Sequence, residues 1–454
     1  MLPFDDLTIG IFGIALLIAL VLVGVRVFVA AALAGFVGLV MLRGWATAVG
    51  IVGTIPHSKT VTYALSVLPL FILIGFLAFH AGFTNRLFET ARKWVGWVPG
   101  GLAVSTVFAS AGFAAVSGAS TATAAVFSRV AIPDMARHGY HRRLIAGVVA
   151  AGGTLASLIP PSAILVIYAI IVEQSVGKLL LAGLLPGVVS VLIYTVLIVG
   201  MCKVKPELGS SVSGISWKER FRSLPGALPV LLVVGTIFGA LYTGYATPTE
   251  AGALGAAMIF LLYLGRTFFK KSFSSFHKNI FQALMETAKL TVMIFTLIWG
   301  VFVFVRFLGF AGLPSAFADW VVTLNVSPLV IMICILLAYA VLGMFMDAIG
   351  MLILTLPVVF PAVIALGYDP IWFGVIVVKM AEICLITPPI GLNCFVVAGV
   401  SRELRTSSGA SLSIPLQDVF RGVGPFFIAD VVTVAILLIF PDIVLWLPNT
   451  MADL

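Results

Sequence analysis

Charge is what this sequence has least of: Asp, Glu, Lys and Arg make up 10% of its 454 residues, against about 25% in soluble domains. That shortage excludes a soluble fold and leaves no room for a separate water-exposed domain, so a soluble partner would have to be another chain. Cysteine is also scarce. Cys202, Cys334, Cys384 and Cys394 lie in or beside apolar runs without CxxC spacing, which leaves packing rather than redox or metal chemistry. His138 and His141 form an HxxH, but Arg142 and Arg143 beside it are poor company for a metal ion. No HExxH, GxSxG or Walker sequence is present. Proteolysis and ATP hydrolysis thus lack their residues, the chain reads as no enzyme and needs no cofactor, and any work it does must draw on a gradient. The start, MLPFDDLTIG, lacks the basic n-region of a cleaved signal peptide. Its first apolar run therefore reads as a retained helix, with Asp5 and Asp6 suiting an outer N-terminus.

What is abundant is apolar sequence, 61% of the chain, in recurring runs of the roughly 17 to 25 residues that cross a bilayer core. The expected spans are 7–25, 27–42, 61–83, 143–172, 179–201, 228–245, 251–264, 281–307, 372–400 and 424–445, with broken regions at 100–133 and 326–361. The fold class is an all-α polytopic membrane protein. With the N-terminus outside and both broken regions re-entrant, most of the 26 Lys and Arg fall on the inner side, including Arg86, Arg92, Lys93, Arg137, Lys203, Lys205, Lys270, Lys271, Arg402 and Arg421. Only Arg43, Lys59 and Lys178 fall outside. The positive-inside rule supports this topology, and it accounts for the net charge of +8 without a nucleic-acid partner.

The chain repeats itself. At one constant offset Pro133 aligns with Pro361, Gly139-Tyr140 with Gly367-Tyr368, and Pro160-Pro161 with Pro388-Pro389. An odd number of crossings separates the two broken regions, so the second opens to the opposite side. Inverted repeats with interrupted helices mark secondary transporters, which bind substrate and ions near the midplane where the repeats meet. Two short mixed segments, 84–96 and 311–325, precede the broken regions and read as interfacial arms.

Polar backbone at membrane depth is tolerated only inside protein or along a cavity, which singles out two stretches. In the first, a hairpin turns at Ser117 to Ser120, where Gly118 permits the reversal, and Ser117, Gly118, Ser120, Gly152, Gly153 and Thr154 offer oxygens to a hard cation. Beyond Pro160, Pro161 and Ser162 a half-helix starts whose free amides suit a carboxylate. With Thr123 and Ser157 these form the substrate candidates of the first half. In the second, Asp347 stands near the other tip with Thr355 following, and Thr387, Gly391 and Asn393 surround the second proline break. Asp347 and Thr387 are ion candidates; Gly391 and Asn393 are substrate candidates. Close packing of small residues is the competing reading. Among other charges, Glu382 has Lys379 as a helical neighbour and Glu286 has Lys289, each a possible structural pair. Glu250 follows Thr247-Pro248 as a cap residue would, and Asp430 and Arg306 suit scaffold contacts.

GASTATAAVFSRVAIPDMARHGY, AGGTLASLIPPSAILVIYAI, LAGLLPGV, TPTEAG and ITPPIGLNCFVVAGV resemble the large, DctM-type membrane subunit of tripartite ATP-independent periplasmic (TRAP) transporters over nearly the whole chain. Where a GVPVAF-like run is expected after the first helix, this chain has Gly24-Val25-Arg26-Val27. The resemblance implies an elevator-type transporter in a bacterial or archaeal inner membrane, driven by Na⁺. It also implies a separate small four-helix membrane subunit, a periplasmic substrate-binding protein and an organic anion such as a C4-dicarboxylate or sialic acid. Its Na⁺ sites would involve Ser117, Gly118 and 152–154 in one half, and Asp347 and the segment near Thr387 in the other. The expected division is 1–83 scaffold, 84–99 arm, 100–175 first transport half, 176–308 scaffold with an inner loop at 202–226, 309–325 second arm, 326–400 second transport half, and 401–454 inner loop and last scaffold helix. The rivals are a stand-alone Na⁺/anion symporter of the divalent-anion type and, further off, an intramembrane enzyme or channel.

Overall fold

The computed structural model describes residues 5–212, 214–270, 273–405 and 409–451. Lys271, one of the expected inner cations, lies outside the described residues. In chain order the helices are α1 (Asp6–Leu22), α2 (Val27–Arg43), α3 (Trp45–Thr60), α4 (Val67–His80), α5 (Phe83–Val95), α6 (Gly101–Ser117), α7 (Ser120–Arg137), α8 (Arg142–Leu158), α9 (Ala163–Ile171), α10 (Val176–Ala182) and α11 (Leu184–Val204). The second half has α12 (Trp217–Ser223), α13 (Leu228–Tyr242), α14 (Pro248–Lys270), α15 (Phe273–Phe310), α16 (Leu313–Thr323), α17 (Pro328–Gly343), α18 (Ala348–Ala365), α19 (Pro370–Cys384), α20 (Leu392–Glu403), α21 (Leu416–Ile439) and α22 (Asp442–Asn449). Among the described residues no strand forms. Six helical spans are long and apolar enough to cross a membrane, or up to eight if each bent pair counts as one.

Both broken regions are helical hairpins. α6 and α7 join through Gly118, and α17 and α18 through residues 344–347. The repeat persists in the backbone: Gly139 and Gly367 both hold left-handed φ, 72° and 86°, and both Pro160-Pro161 and Pro388-Pro389 are cis. Each proline pair interrupts a helix, separating α8 from α9 and α19 from α20, because proline has no N–H to continue the ladder. The conserved spacing of the two tyrosines serves different ends. Tyr140 accepts from the Leu102 N–H and donates to the Ser210 carbonyl, tying the hairpin to the loop after α11, and burial pushes its phenol up to about 12. Tyr368 stacks on Trp372 with ring centres 5.2 Å apart.

The arm α5 bends 72° away from α4 and buries Phe83, Leu87 and Phe88 beneath a charged outer face, the pattern of a helix lying along a surface. Trp94 Nε1 donates to the Arg220 carbonyl at 3.2 Å, anchoring it to α12. α16 takes the matching place before the second hairpin. α3 is not anticipated, because Thr47, Gly50, Gly53, Thr54 and Pro56 break its apolar sequence into pieces too short to read as a span.

The helices pack in two groups of neighbours, which touch where α6 meets α4 and α13. α2 lies along α15, which also meets α4, and α14 fills between α4 and α13. The other group gathers α6, α7, α8, α19, α20 and α21, with α11 against α21 and α6. α11 and α21, expected with the scaffold, pack beside α8. The reason lies in the α8–α21 crossing, where a Cβ on Gly147 would lie 2.2 Å from the Gly422 carbonyl oxygen and one on Gly422 would lie 2.1 Å from that of Arg143. Without side chains at these positions the two backbones touch, the arrangement that gains most from packing inside a membrane.

Candidate ion and substrate site

The first hairpin tip rests on the first proline break. Gly118, at φ +58°, approaches so closely that an added Cβ would stand 2.3 Å from the Pro161 carbonyl oxygen. Ser117 and Thr123 hydroxyls meet at 3.0 Å across the tip, and Thr123 also donates to the Ala119 carbonyl. Pro160, Pro161 and Ser162 are consequently buried. Ser162 caps α9 by accepting from the Leu165 N–H at 3.3 Å, and its hydroxyl donates to the Ser157 carbonyl. Part of the expected anion-facing amide set at α9 is therefore taken by its own cap. The N-terminus of α7, at the tip itself, has no side-chain cap.

Asn393 joins the two repeats. From α20 its amide nitrogen donates to Ser120 Oγ at 2.9 Å and to the Ala150 carbonyl at 3.1 Å. The Ala150 oxygen can only accept, which fixes the amide orientation and turns Oδ1 the other way. That oxygen is buried and has no hydrogen-bond partner among the described residues. Gly153 lies alongside, its missing Cβ 3.1 Å from the Asn393 nitrogen, and Gly152 faces the hydroxyl of Ser110, itself unpartnered. Ser157 Oγ is another unpartnered buried oxygen. Thr154 bonds back to the Ala151 carbonyl at 2.7 Å. These groups are neutral oxygen donors, the set that a hard cation such as Na⁺ takes, and the orphaned Asn393 Oδ1 is the kind of atom such an ion would satisfy. Among the described residues no three His, Cys, Asp or Glu groups gather to hold a metal ion.

The second half differs. Asp347 is the N-cap of α18, accepting from the Gly350 N–H at 3.0 Å. Among the described residues no hydrogen bond links it to the hydroxyls of the first hairpin. Thr355 donates to the Tyr339 hydroxyl at 2.7 Å, linking the two helices of hairpin 2. Thr387 turns back to the Ile383 carbonyl at 2.6 Å. Gly391, at φ +47°, starts α20 without a side-chain cap. Pro388 and Pro389 are exposed where Pro160 and Pro161 are buried.

Two pairs are resolved by the structure. Glu286 meets not Lys289 but His80 of α4, at 3.0 Å. Glu382 does bond Lys379, at 2.6 Å, but Lys379 also donates to Asp430 of α21 at 2.8 Å, and the Tyr194 hydroxyl of α11 donates to the same carboxyl oxygen at 2.7 Å. The Lys379 cluster binds α19, α21 and α11 together within the protein. The HxxH does not converge on a metal: His138 Nδ1 lies 2.8 Å from the Asp134 carbonyl and His141 Nδ1 accepts from the Arg143 N–H.

Comparison with known proteins matches this architecture. The family described as "Tripartite ATP-independent periplasmic transporter, DctM component" matches residues 14–443. The C4-dicarboxylate TRAP transporter large permease protein DctM of Pseudomonas aeruginosa is 35% identical, covering 85% of this chain and 86% of that protein. The sialic acid TRAP transporter large permease protein SiaM of Vibrio cholerae is 31% identical over the same shares. Among solved structures, the Alcanivorax borkumensis YdaH transporter superposes with a TM-score of 0.57 at 16% identity, covering 86% of this chain and 87% of that one, a likeness of fold alone.

Proposed function

The chain belongs to the DctM component family of tripartite ATP-independent periplasmic transporters, and from that premise we propose that it imports an organic anion in symport with Na⁺. It is a multi-pass transporter subunit and not an enzyme. The observation that carries the Na⁺ reading is Asn393 Oδ1, a buried amide oxygen without a partner among Ser120, Gly153 and Ala150. Coordinating an ion there would satisfy an oxygen whose orphaning costs about 1 to 3 kcal/mol.

In this reading Ser117, Gly118, Ser120, Gly152, Gly153 and Thr154 supply the ion side of the first half, and Asp347 and Thr387 that of the second. The anion binds between the breaks, near Thr123, Ser157, Gly391 and Asn393, with the uncapped start of α7 offering amides to a carboxylate. The body built on α6–α8 and α19–α21, with α11, moves against the body built on α2, α4, α14 and α15, as an elevator. The N-terminus lies outside an inner membrane. A separate small membrane subunit and a periplasmic binding protein complete the system, and the anion is a dicarboxylate, sialic acid or related carboxylate, as with the two relatives.

Reconstitution in liposomes with the small subunit tests this assembly. Uptake should require the loaded binding protein on the outer side. Equal uptake of free substrate without it would favour the stand-alone symporter.

A further inference from the structure

Three ionisable side chains meet where no solvent reaches: Lys379, Glu382 and Asp430, each 0% exposed. Fully ionised they sum to one negative charge. A buried charge without a counter-charge is the arrangement that proteins avoid by binding or releasing a proton. The hydrogen bonds indicate where that proton sits. Asp430 Oδ1 accepts from both Lys379 Nζ, at 2.8 Å, and the Tyr194 hydroxyl, at 2.7 Å. Glu382 accepts from one side-chain donor, Lys379, through Oε2 at 2.6 Å, with the Leu158 backbone N–H also facing its carboxyl, and its Oε1 has no partner among the described residues. Two side-chain donors, one of them the ammonium, hold Asp430 where one holds Glu382, and hydrogen bonds to the charged form favour it, so Asp430 keeps the charge.

Neighbouring elements do not alter the count. Tyr168 on α9 donates away to the Pro370 carbonyl. Tyr339 on α17 bonds Thr355 of α18, and the Cys384 thiol faces the Tyr339 carbonyl. Lys178 and Asp442 stand in the first turns of α10 and α22.

We propose that this cluster is a proton-binding site: Glu382 carries a proton on Oε1 and lies neutral beside the ionised Lys379–Asp430 pair. Asp430 Oδ2, the other partnerless oxygen of the cluster, is the acceptor left free. The joint of α11, α19 and α21 then has no net charge. If the body holding it moves through the membrane field, as in the two-body reading above, it carries no charge of its own. That consequence rests on the two-body reading, whereas the proton does not.

Infrared difference spectroscopy of the purified full chain in nanodiscs at neutral pH tests the site without any transport assay. The wild type minus E382Q spectrum should show one protonated-carboxyl band, lost in the variant. D430N should also lose it, because Lys379 then needs Glu382 ionised. Should D430N fail to fold, the E382Q comparison decides alone. No band in the wild type, a band that survives E382Q, or a band that Na⁺ addition abolishes would each overturn the proposal, the last by showing that a metal cation replaces the proton.

Discussion

Asn393 and Ser120, 273 positions apart in the chain, meet at 2.9 Å through amide and hydroxyl. The bond joins the helix after the second proline break to the second helix of hairpin 1, so the two repeats share one polar centre. A group that crosses the repeat boundary in this way reports on ion binding and on the assembly of the halves together.

Replacing Asn393 with Leu removes that bond and the orphaned oxygen at similar volume. Half-maximal uptake should then need a Na⁺ concentration higher by roughly 5- to 150-fold, from the about 1 to 3 kcal/mol attached to a buried polar contact. A Na⁺ titration of uptake measures it. An unchanged Na⁺ dependence in a correctly inserted variant would remove Asn393 from the ion site.

Gly118→Ala adds a carbon 2.3 Å from the Pro161 carbonyl oxygen at a residue with φ +58°. A non-glycine residue in that region costs about 1 to 2 kcal/mol, and the contact adds more. The variant should insert, since the tip is a small part of the buried surface, but lose most of its transport. Wild-type uptake would mean that hairpin 1 does not seat on the first break.

Asp347 caps α18 through the Gly350 N–H, which allows charge and capping to be separated. Asparagine caps as well as aspartate, whereas alanine costs about 0.5 to 2 kcal/mol. Asp347→Asn should keep thermal stability and lose transport; Asp347→Ala should lose both. If Asp347→Asn transports normally, the carboxylate is a cap and nothing more.

Glu250 and Thr247 bond reciprocally at the start of α14: Glu250 Oε2 accepts from the Thr247 N–H and hydroxyl at 2.8 Å each, and Thr247 Oγ1 accepts from the Glu250 N–H at 3.4 Å. Such a capping box satisfies two helix-end donors. Glu250→Ala should lower purification yield and melting temperature, with the substrate KM unchanged. A shifted KM would place Glu250 in the transport path.

The hairpins and broken helices are legible in the sequence because glycine and proline act on the backbone they belong to: Gly118 turns a tip and the proline pairs stop helices wherever they stand. The cap at Glu250 is legible for the same local reason. Contacts between distant helices leave no such trace. Glu286 sits at pairing distance from Lys289 on its helix, yet His80 from α4 takes it. Lys379 announces Glu382 by spacing but gives no sign of Asp430, 51 residues on, or of Tyr194. The packing of α21 on α8 leaves no trace for a related reason, since the Gly147–Gly422 crossing depends on two lone glycines in separate apolar runs.

The central claim is Na⁺-driven import, and accumulation against a gradient tests it most directly. In liposomes holding this chain with its small subunit, and with loaded binding protein outside, substrate should concentrate inside only while Na⁺ is higher outside. Dissipating the Na⁺ gradient should stop accumulation, and a proton gradient should not replace it. Accumulation that persists with equal Na⁺ on both sides would contradict the account.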